Sequence, residues 1–251
     1  MASDKIAIAL TNHRTLGNTG ETTGFWLSEM THPYFAFLRA GRRVDLISPK
    51  GGAAPIDPRS RDLSDAENRE FLENHRLVAA LDATLPASAL DARDYNAIFF
   101  AGGHGTMWDF PDSASAALAA LARDIYERGG AVGAVCHGPA ALVNLTLSNG
   151  RYLVDGKIVS AFTNEEETAV GLSEVVPFLL ETKLIERGAH FDKAPPWQPK
   201  AVVSERLVTG QNPASAKATG LELLGVLDRR ARESRTQEPR IHPAAHRQQS
   251  D

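Results

Sequence analysis

The sequence predicts an α/β fold on a doubly wound, mostly parallel sheet, and three observations carry that expectation. Short, continuous apolar runs recur at 5–10, 44–48, 97–101 and 131–135, the form taken by strands covered on both faces. Helical patterns lie between and after them, as a sheet wound by crossover helices requires. Glycine-containing turns close two of the runs, Gly102-Gly103-His104-Gly105 after the third and Cys136-His137-Gly138 after the fourth, and open α/β sheets collect ligands at such strand ends.

The elements follow in order. The run 5–10, Lys-Ile-Ala-Ile-Ala-Leu, reads as the first strand. The next helical region is interrupted by His32-Pro33. Because proline lacks an N–H and restricts its predecessor, the expectation is a short turn of helix ending near Met30 and a second helix starting at Pro33, which leaves Glu29 beside a break. The polar stretch 49–74, with Asp57-Pro58-Arg59-Ser60 inside it, reads as an excursion with one short helix, a lid over a site. Over 113–128 a Pro111-Asp112-Ser113 start signal precedes Leu118, Leu121, Ala122 and Ile125 at i, i+3, i+4, i+7, and Gly129-Gly130 stops the helix. A second secure helix covers 213–228, with Asn212 as N-cap, Pro213 at the first helical position and Leu221, Leu224 and Leu227 on one side.

These elements predict a single domain over 1–228. Beyond it, 229–251 carries six arginines against Glu233, Glu238 and Asp251, a net +3 with little apolar content, which predicts a disordered tail. Across all 251 residues the formal charge is −4, which gives no reason to expect a nucleic acid partner. No apolar stretch approaches the roughly 20 residues that span a bilayer. One free cysteine and no export signal point to a reducing, cytoplasmic setting.

The single cysteine cannot form an internal disulfide, so its value lies in packing or in chemistry. A lone cysteine is more often a small buried hydrophobe than a nucleophile. Here the strand-turn-helix pattern sets Cys136 at a helix N-terminus beside His137, a position that favours thiolate. Backbone N–H groups of Gly103 and His137 face the same crevice and could form an oxyanion hole, with His104 in the same substrate-facing turn. Glu29 and the triplet Glu165-Glu166-Glu167 complete the set, although a first-turn acidic triplet capped by Thr163 or Asn164 is ordinarily a solvated one. His13, His75, His104 and His190 lack metal-ligand spacing, so no required metal is expected.

Taken together these segments resemble the ThiJ/PfpI superfamily, with its class I glutamine-amidotransferase-like fold and nucleophile elbow, and within it the glutathione-independent glyoxalase (D-lactate dehydratase) branch related to stress chaperones. The likeness is carried by Thr23-Gly24 through Glu29, His32-Pro33, Ala101-Gly102-Gly103-His104-Gly105-Thr106, Ala134-Val135-Cys136-His137-Gly138-Pro139, Phe162-Thr163 with Glu167, and Thr209-Gly210-Gln211-Asn212-Pro213. The resemblance implies Cys136 as nucleophile, His137 as its histidine, Glu29 as the carboxylate that bonds the sulfur, and Glu167 as the acid that orients His137, with Glu166 the fallback. It implies a small 2-oxoaldehyde such as methylglyoxal as substrate, D-lactate as product, no cofactor and a homodimer. Two other readings stand beside it: a stress-response chaperone with Cys136 as redox sensor, and a cysteine-dependent amide hydrolase or deglycase. A late His-x-Glu pair, expected of a glutamine amidotransferase, is absent, since His242 precedes Pro243-Ala244 and His246 precedes Arg247-Gln248.

Overall fold

The computed structural model describes residues 4–237. Seven strands form one sheet in the order β3-β2-β1-β4-β5-β9-β8, made of β1 (Lys5–Ala9), β2 (Arg43–Ser48), β3 (Leu85–Pro86), β4 (Ala97–Phe100), β5 (Ala131–Val135), β8 (Ala201–Ser204) and β9 (Leu207–Gly210). All neighbours pair in parallel except β8 with β9. Two short strands, β6 (Ile158–Val159) and β7 (His190–Phe191), pair separately.

Alternation along the strands explains the continuous apolar runs. Ala7 and Ala9 of β1 with Ile98 and Phe100 of β4 pack toward Leu118, Leu121, Ala122 and Ile125 of α5 (Ala116–Glu127). Ile6, Ile8 and Phe99 point the other way, toward Met30 and Phe37 of α1 (Leu27–Arg39) and Leu223 and Leu227 of α8 (Ala216–Gln237). Both faces are therefore buried, and a period of two is hidden because both alternating sets are apolar. The remaining helices are α2 (Ala66–Glu73), α3 (His75–Asp82), α4 (Thr106–Asp109), α6 (Asn164–Ala169) and α7 (Leu180–Glu186). None of the described helices is long and apolar enough to cross a membrane.

Three expectations need correction. First, α1 is one unbroken helix through Pro33, not two. Proline removes the hydrogen bond to the Glu29 carbonyl at roughly 3 kcal/mol, but Leu27, Met30, Tyr34, Phe35 and Phe37 are all buried, each contributing about 1.5–3 kcal/mol. Pro33 itself packs on Gly220 of α8. Glu29 consequently lies in the first turn of the helix, not at a break. Second, Leu221 is 51 % exposed, and the buried side of α8 is set by Thr219, Leu223, Leu224, Val226 and Leu227. Third, α8 continues past residue 228 to Gln237. Its packed first turns supply the nucleus, and Arg229 to Gln237 contains no glycine or proline, so extension is inexpensive. The rest of the expected tail, 238–251 with His242 and His246, and residues 1–3 lie outside the described residues.

Several expectations hold. Asn212 and Ser215 form a reciprocal cap, with Pro213 at the first position of a 3-10 turn, Pro213–Ser215, that leads into α8 three residues later than the expected start. Thr163, one of the two expected caps, starts α6 in a capping box with Glu166, but the acidic first turn is not solvated as a whole: Glu165 is exposed, whereas Glu166 and Glu167 are buried. The excursion 49–74 runs into α2 and is followed directly by α3. The β1 connection leads outward to β2, whereas β4 leads the opposite way to β5, so the carboxyl ends of β1 and β4 flank the point where winding reverses. That is where an open sheet leaves a crevice.

Candidate functional site

Cys136 follows β5 with φ +59, a left-handed conformation that a side-chain-bearing residue rarely adopts. The strain, on the order of 1–3 kcal/mol, is held by bonds on both sides of the sulfur. The Cys136 amide donates to the Gly210 carbonyl at 2.9 Å, and the Cys136 carbonyl accepts from Phe162 N–H at 2.9 Å. The Thr106 hydroxyl donates to the carbonyls of Gly103 (2.8 Å) and His137 (3.0 Å), tying the two ligand-facing turns together. This is the geometry of a nucleophile elbow.

Around the sulfur stand two acid–base systems. On one side is Glu29, fully buried, with neither carboxyl oxygen in a hydrogen bond of regular geometry. The Cys136 thiol and the Gly102 amide face it. A Cβ at residue 102 would lie 2.3 Å from Glu29 Oε2 and 2.4 Å from the Val135 carbonyl, so only glycine admits the carboxyl here. On the other side, Cys136 Sγ is 3.4 Å from His137 Nδ1, and His137 Nε2 is 2.8 Å from Glu167 Oε2. Glu167 turns its second oxygen to His104 Nε2 at 2.9 Å. The two imidazoles lie 4.1 Å apart, and Phe162 covers His137 at 4.4 Å.

Electrostatics follow from burial and these partners. Burial pushes the Glu29 carboxyl well above the usual carboxylate range, against the pull of the first turn of α1. Burial, together with the neighbouring Glu29 carboxyl, also raises the Cys136 thiol. The helix-terminus argument for a thiolate is thereby overturned. Gly138–Leu142 is one short 3-10 segment with little dipole to offer, and desolvation outweighs it. Burial also works against ionisation of Glu167, but His137 and His104 outweigh it and hold the carboxylate well below its ordinary range. Burial and the neighbouring His137 push His104 down to about 4.

That value predicts an acid-labile fold. An unfolded histidine titrates near 6.5, so between about pH 6.5 and 4 the unfolded chain binds the additional proton and stability is lost as pH falls. The loss attributable to His104 is about 3 kcal/mol at full extent. Glu167, with its folded value depressed, adds a further loss of the same sign once pH drops below about 4.3. Urea titrations from pH 8 to 4 should show this slope in the difference between wild type and His104→Asn, where the opposing contribution of Glu29 cancels.

The structure brings together Glu29, Gly103, His104, Cys136, His137 and Glu167. Gly103, His104, Cys136 and His137 line a cavity of about 400 Å³. Glu166 stands apart: its carboxylate accepts from Thr163, Trp197, Gln211 and Asn212, bracing the loop that carries Trp197. Glu165 is exposed and pairs with Lys193. Within the expected oxyanion pair, the His137 amide faces the sulfur of Cys136. Gly103 lies at φ +113, where a Cβ would come within 2.5 Å of Gly24 O and Trp26 N.

Sequence reasoning missed the cavity walls, Trp26, Arg59, Val170 and Trp197, which come from four separate segments. It also missed that His104 and His137 share one carboxylate. Those two rings with Glu167 place three potential ligand atoms within 4.8 Å of one another, a donor set able to hold a divalent metal. No spacing rule could reveal it, since its members sit after β4, after β5 and in α6.

Comparison with known proteins gives this geometry a context. The sequence pattern of the DJ-1/PfpI family matches residues 22–225. "Glyoxalase 3" of Candida albicans is 32 % identical over 234 residues, covering 89 % of this chain and 98 % of that protein. "Glutathione-independent glyoxalase HSP31" of Saccharomyces cerevisiae is 33 % identical over 242 residues, 90 % of this chain and 99 % of the other. Among solved structures, Rapid Encystment Protein 24 kDa of Francisella tularensis superimposes with a TM-score of 0.85 at 40 % identity, covering 89 % and 98 % of the two chains.

Proposed function

Because this chain belongs to the DJ-1/PfpI family, and its full-length relatives are named glutathione-independent glyoxalases, we propose that it is an enzyme of that kind, converting methylglyoxal to D-lactate. The observation that carries the reading is Cys136 held between two proton carriers: the raised carboxyl of Glu29 on one side and His137, oriented by Glu167, on the other.

The groups suffice for the chemistry. His137 Nε2–H donates to the Glu167 carboxylate, which leaves Nδ1 as the acceptor facing the thiol. As sulfur adds to the aldehyde carbon, the thiol proton passes through His137 to the aldehyde oxygen, giving a neutral hemithioacetal. His137 then takes the proton from that carbon. The electron pair forms the enediol double bond, and the ketone oxygen takes the Glu29 proton. Return of the His137 proton to the second carbon and of the aldehyde-oxygen proton to Glu29 yields a lactyl thioester, which water cleaves to lactate and the free thiol. The raised Glu29 carboxyl suits this cycle, because an ordinary ionised carboxylate has no proton to give at neutral pH.

The test is loss of methylglyoxal with appearance of D-lactate in glutathione-free buffer, with and without chelator. Turnover in both conditions supports the reading; its absence from well-folded enzyme sinks it, and loss on chelation alone moves the histidine pair and Glu167 to a metal-holding role. Glu167→Gln keeps the shape but removes the anion behind His137. Turnover is expected to fall about 10³- to 10⁴-fold, as when the carboxylate of a Ser-His-Asp triad is neutralised, and a fall of less than tenfold would remove Glu167 from the mechanism. Burial and the raised thiol of Cys136 work against the redox-sensor alternative, which needs an exposed, low-pKa sulfur.

A further inference from the structure

A cation stands at the cavity that the conversion of methylglyoxal does not employ. Arg59 comes from the excursion between β2 and α2, in the turn Asp57-Pro58-Arg59-Ser60, and lines the cavity together with His104 and Cys136. Its position is fixed from beneath. Asp57, fully buried, accepts from Arg59 Nε at 3.0 Å, from Nη2 at 2.6 Å, from the Arg59 amide at 2.9 Å and from the Thr23 hydroxyl at 2.9 Å. The next residue, Ser60, accepts the Leu27 N–H at 2.9 Å and so ties the turn to the start of α1, the helix that carries Glu29.

Asp57 occupies the Nε/Nη2 edge of the guanidinium. The Nη1/Nη2 edge is left, and Nη2 also approaches His104 Nδ1 at 3.5 Å, which sets that edge beside the reacting groups. The arginine side chain is 39 % exposed, so a ligand reaches it without an opening movement. The cavity is also larger than a methyl-substituted dicarbonyl needs: about 400 Å³, within the range of roughly 300–1,000 Å³ that holds much bulkier ligands. Its walls are Trp26, Phe162 and Trp197, apolar surfaces that strengthen a charge-assisted contact by excluding water.

The geometry points to Arg59 as the anchor for a carboxylate at the far end of a longer 2-oxoaldehyde, whose aldehyde carbon lies at Cys136. A planar guanidinium with one edge committed to Asp57 and the other carrying only the long 3.5 Å contact to His104, which a carboxylate would displace, matches a carboxylate with two parallel N–H···O bonds. This inference extends the glyoxalase reading to a substrate class, acidic 2-oxoaldehydes, and rests on that reading only for the aldehyde end.

The experiment compares a five-carbon 2-oxoaldehyde ending in a carboxylate with its neutral methyl ester, in wild type, Arg59→Gln and Arg59→Lys. A second arm follows binding of levulinate, the keto acid that lacks the aldehyde, by fluorescence of Trp26 and Trp197. Wild type is expected to favour the acid in kcat/KM by about tenfold or more, through KM. In Arg59→Gln that preference disappears and levulinate binding weakens about tenfold; Arg59→Lys keeps the charge, loses the fork and falls between, and serves alone if Asp57 without its partner prevents folding. An acid-to-ester ratio that Arg59 substitutions leave unchanged, or acid and ester rates that fall in parallel, overturns the proposal, the latter because an effect through His104 makes no distinction of charge. Levulinate binding that depends on Arg59 in an enzyme without aldehyde turnover would sink the glyoxalase reading and leave the anchor standing. Turnover with levulinate binding indifferent to Arg59 does the reverse.

Discussion

Cys136→Ala is expected to lower methylglyoxal turnover by about three to five orders of magnitude, the scale on which removal of a covalent nucleophile acts. The rest of the constellation stays in place, since Glu29 is fixed by α1, Glu167 by the capped start of α6, and His137 by Glu167 and Phe162. Alanine keeps a Cβ at φ +59, so the backbone strain remains and the change in stability should stay within about 1 kcal/mol; Cys136→Gly, which relieves the strain, should recover about 1 kcal/mol. The comparison separates chemistry from folding. Acid-quenched wild type should carry an adduct of one substrate mass on Cys136, absent from the alanine variant. Substantial turnover by Cys136→Ala would mean that the aldehyde is processed without a covalent step, and the proton assignments to Glu29 and His137 would then have to be rebuilt on a hydrated substrate.

How much of this was legible in the sequence depends on the range of the interaction concerned. The strands read directly, because burial on both faces makes Ile6, Ala7, Ile8 and Ala9 apolar without exception. So did the cap ahead of α8, where Asn212 and Pro213 are adjacent. What failed was each place where a distant partner overrides a local rule. Pro33 is a local helix breaker, retained because Gly220 and the apolar side of α1 make interruption costlier than one lost hydrogen bond. Cys136 has a local thiolate signal, cancelled by burial and by Glu29, which lies more than a hundred residues away in sequence. Among the site residues, Cys136, His137, Gly103 and His104 announce themselves in glycine-containing turns. Arg59 has only the Asp57-Pro58 turn to mark it, and its aim is set by a carboxylate whose burial cannot be read from composition.

Glu29→Gln is expected to inactivate the enzyme and stabilise it at once. Turnover should fall about 10²- to 10⁴-fold, the range for loss of a positioned proton carrier, because an amide has the shape of the carboxylic acid but gives up no proton. Stability should rise at neutral pH, read as a higher denaturant midpoint. In the unfolded chain Glu29 titrates near 4.3, whereas in the folded chain burial raises the carboxyl well above that range and favours its protonated form. Folding must therefore take up a proton from a dilute source. The sign follows: a folded value raised above the unfolded one gives stability that is full below about pH 4.3 and is lost as pH rises toward the folded value. Glutamine has no such slope, so the stabilisation should be smallest at pH 4 and grow as pH rises toward 8. His104 contributes a slope of opposite sign, but it is common to both proteins and cancels in the difference. Denaturant midpoints for the two proteins across this range decide the matter. A constant difference, or a variant less stable at pH 8 than at pH 4 relative to wild type, would show that Glu29 enters the folded protein as a carboxylate, and it would then serve as the base that takes the proton from the hemithioacetal carbon in place of His137.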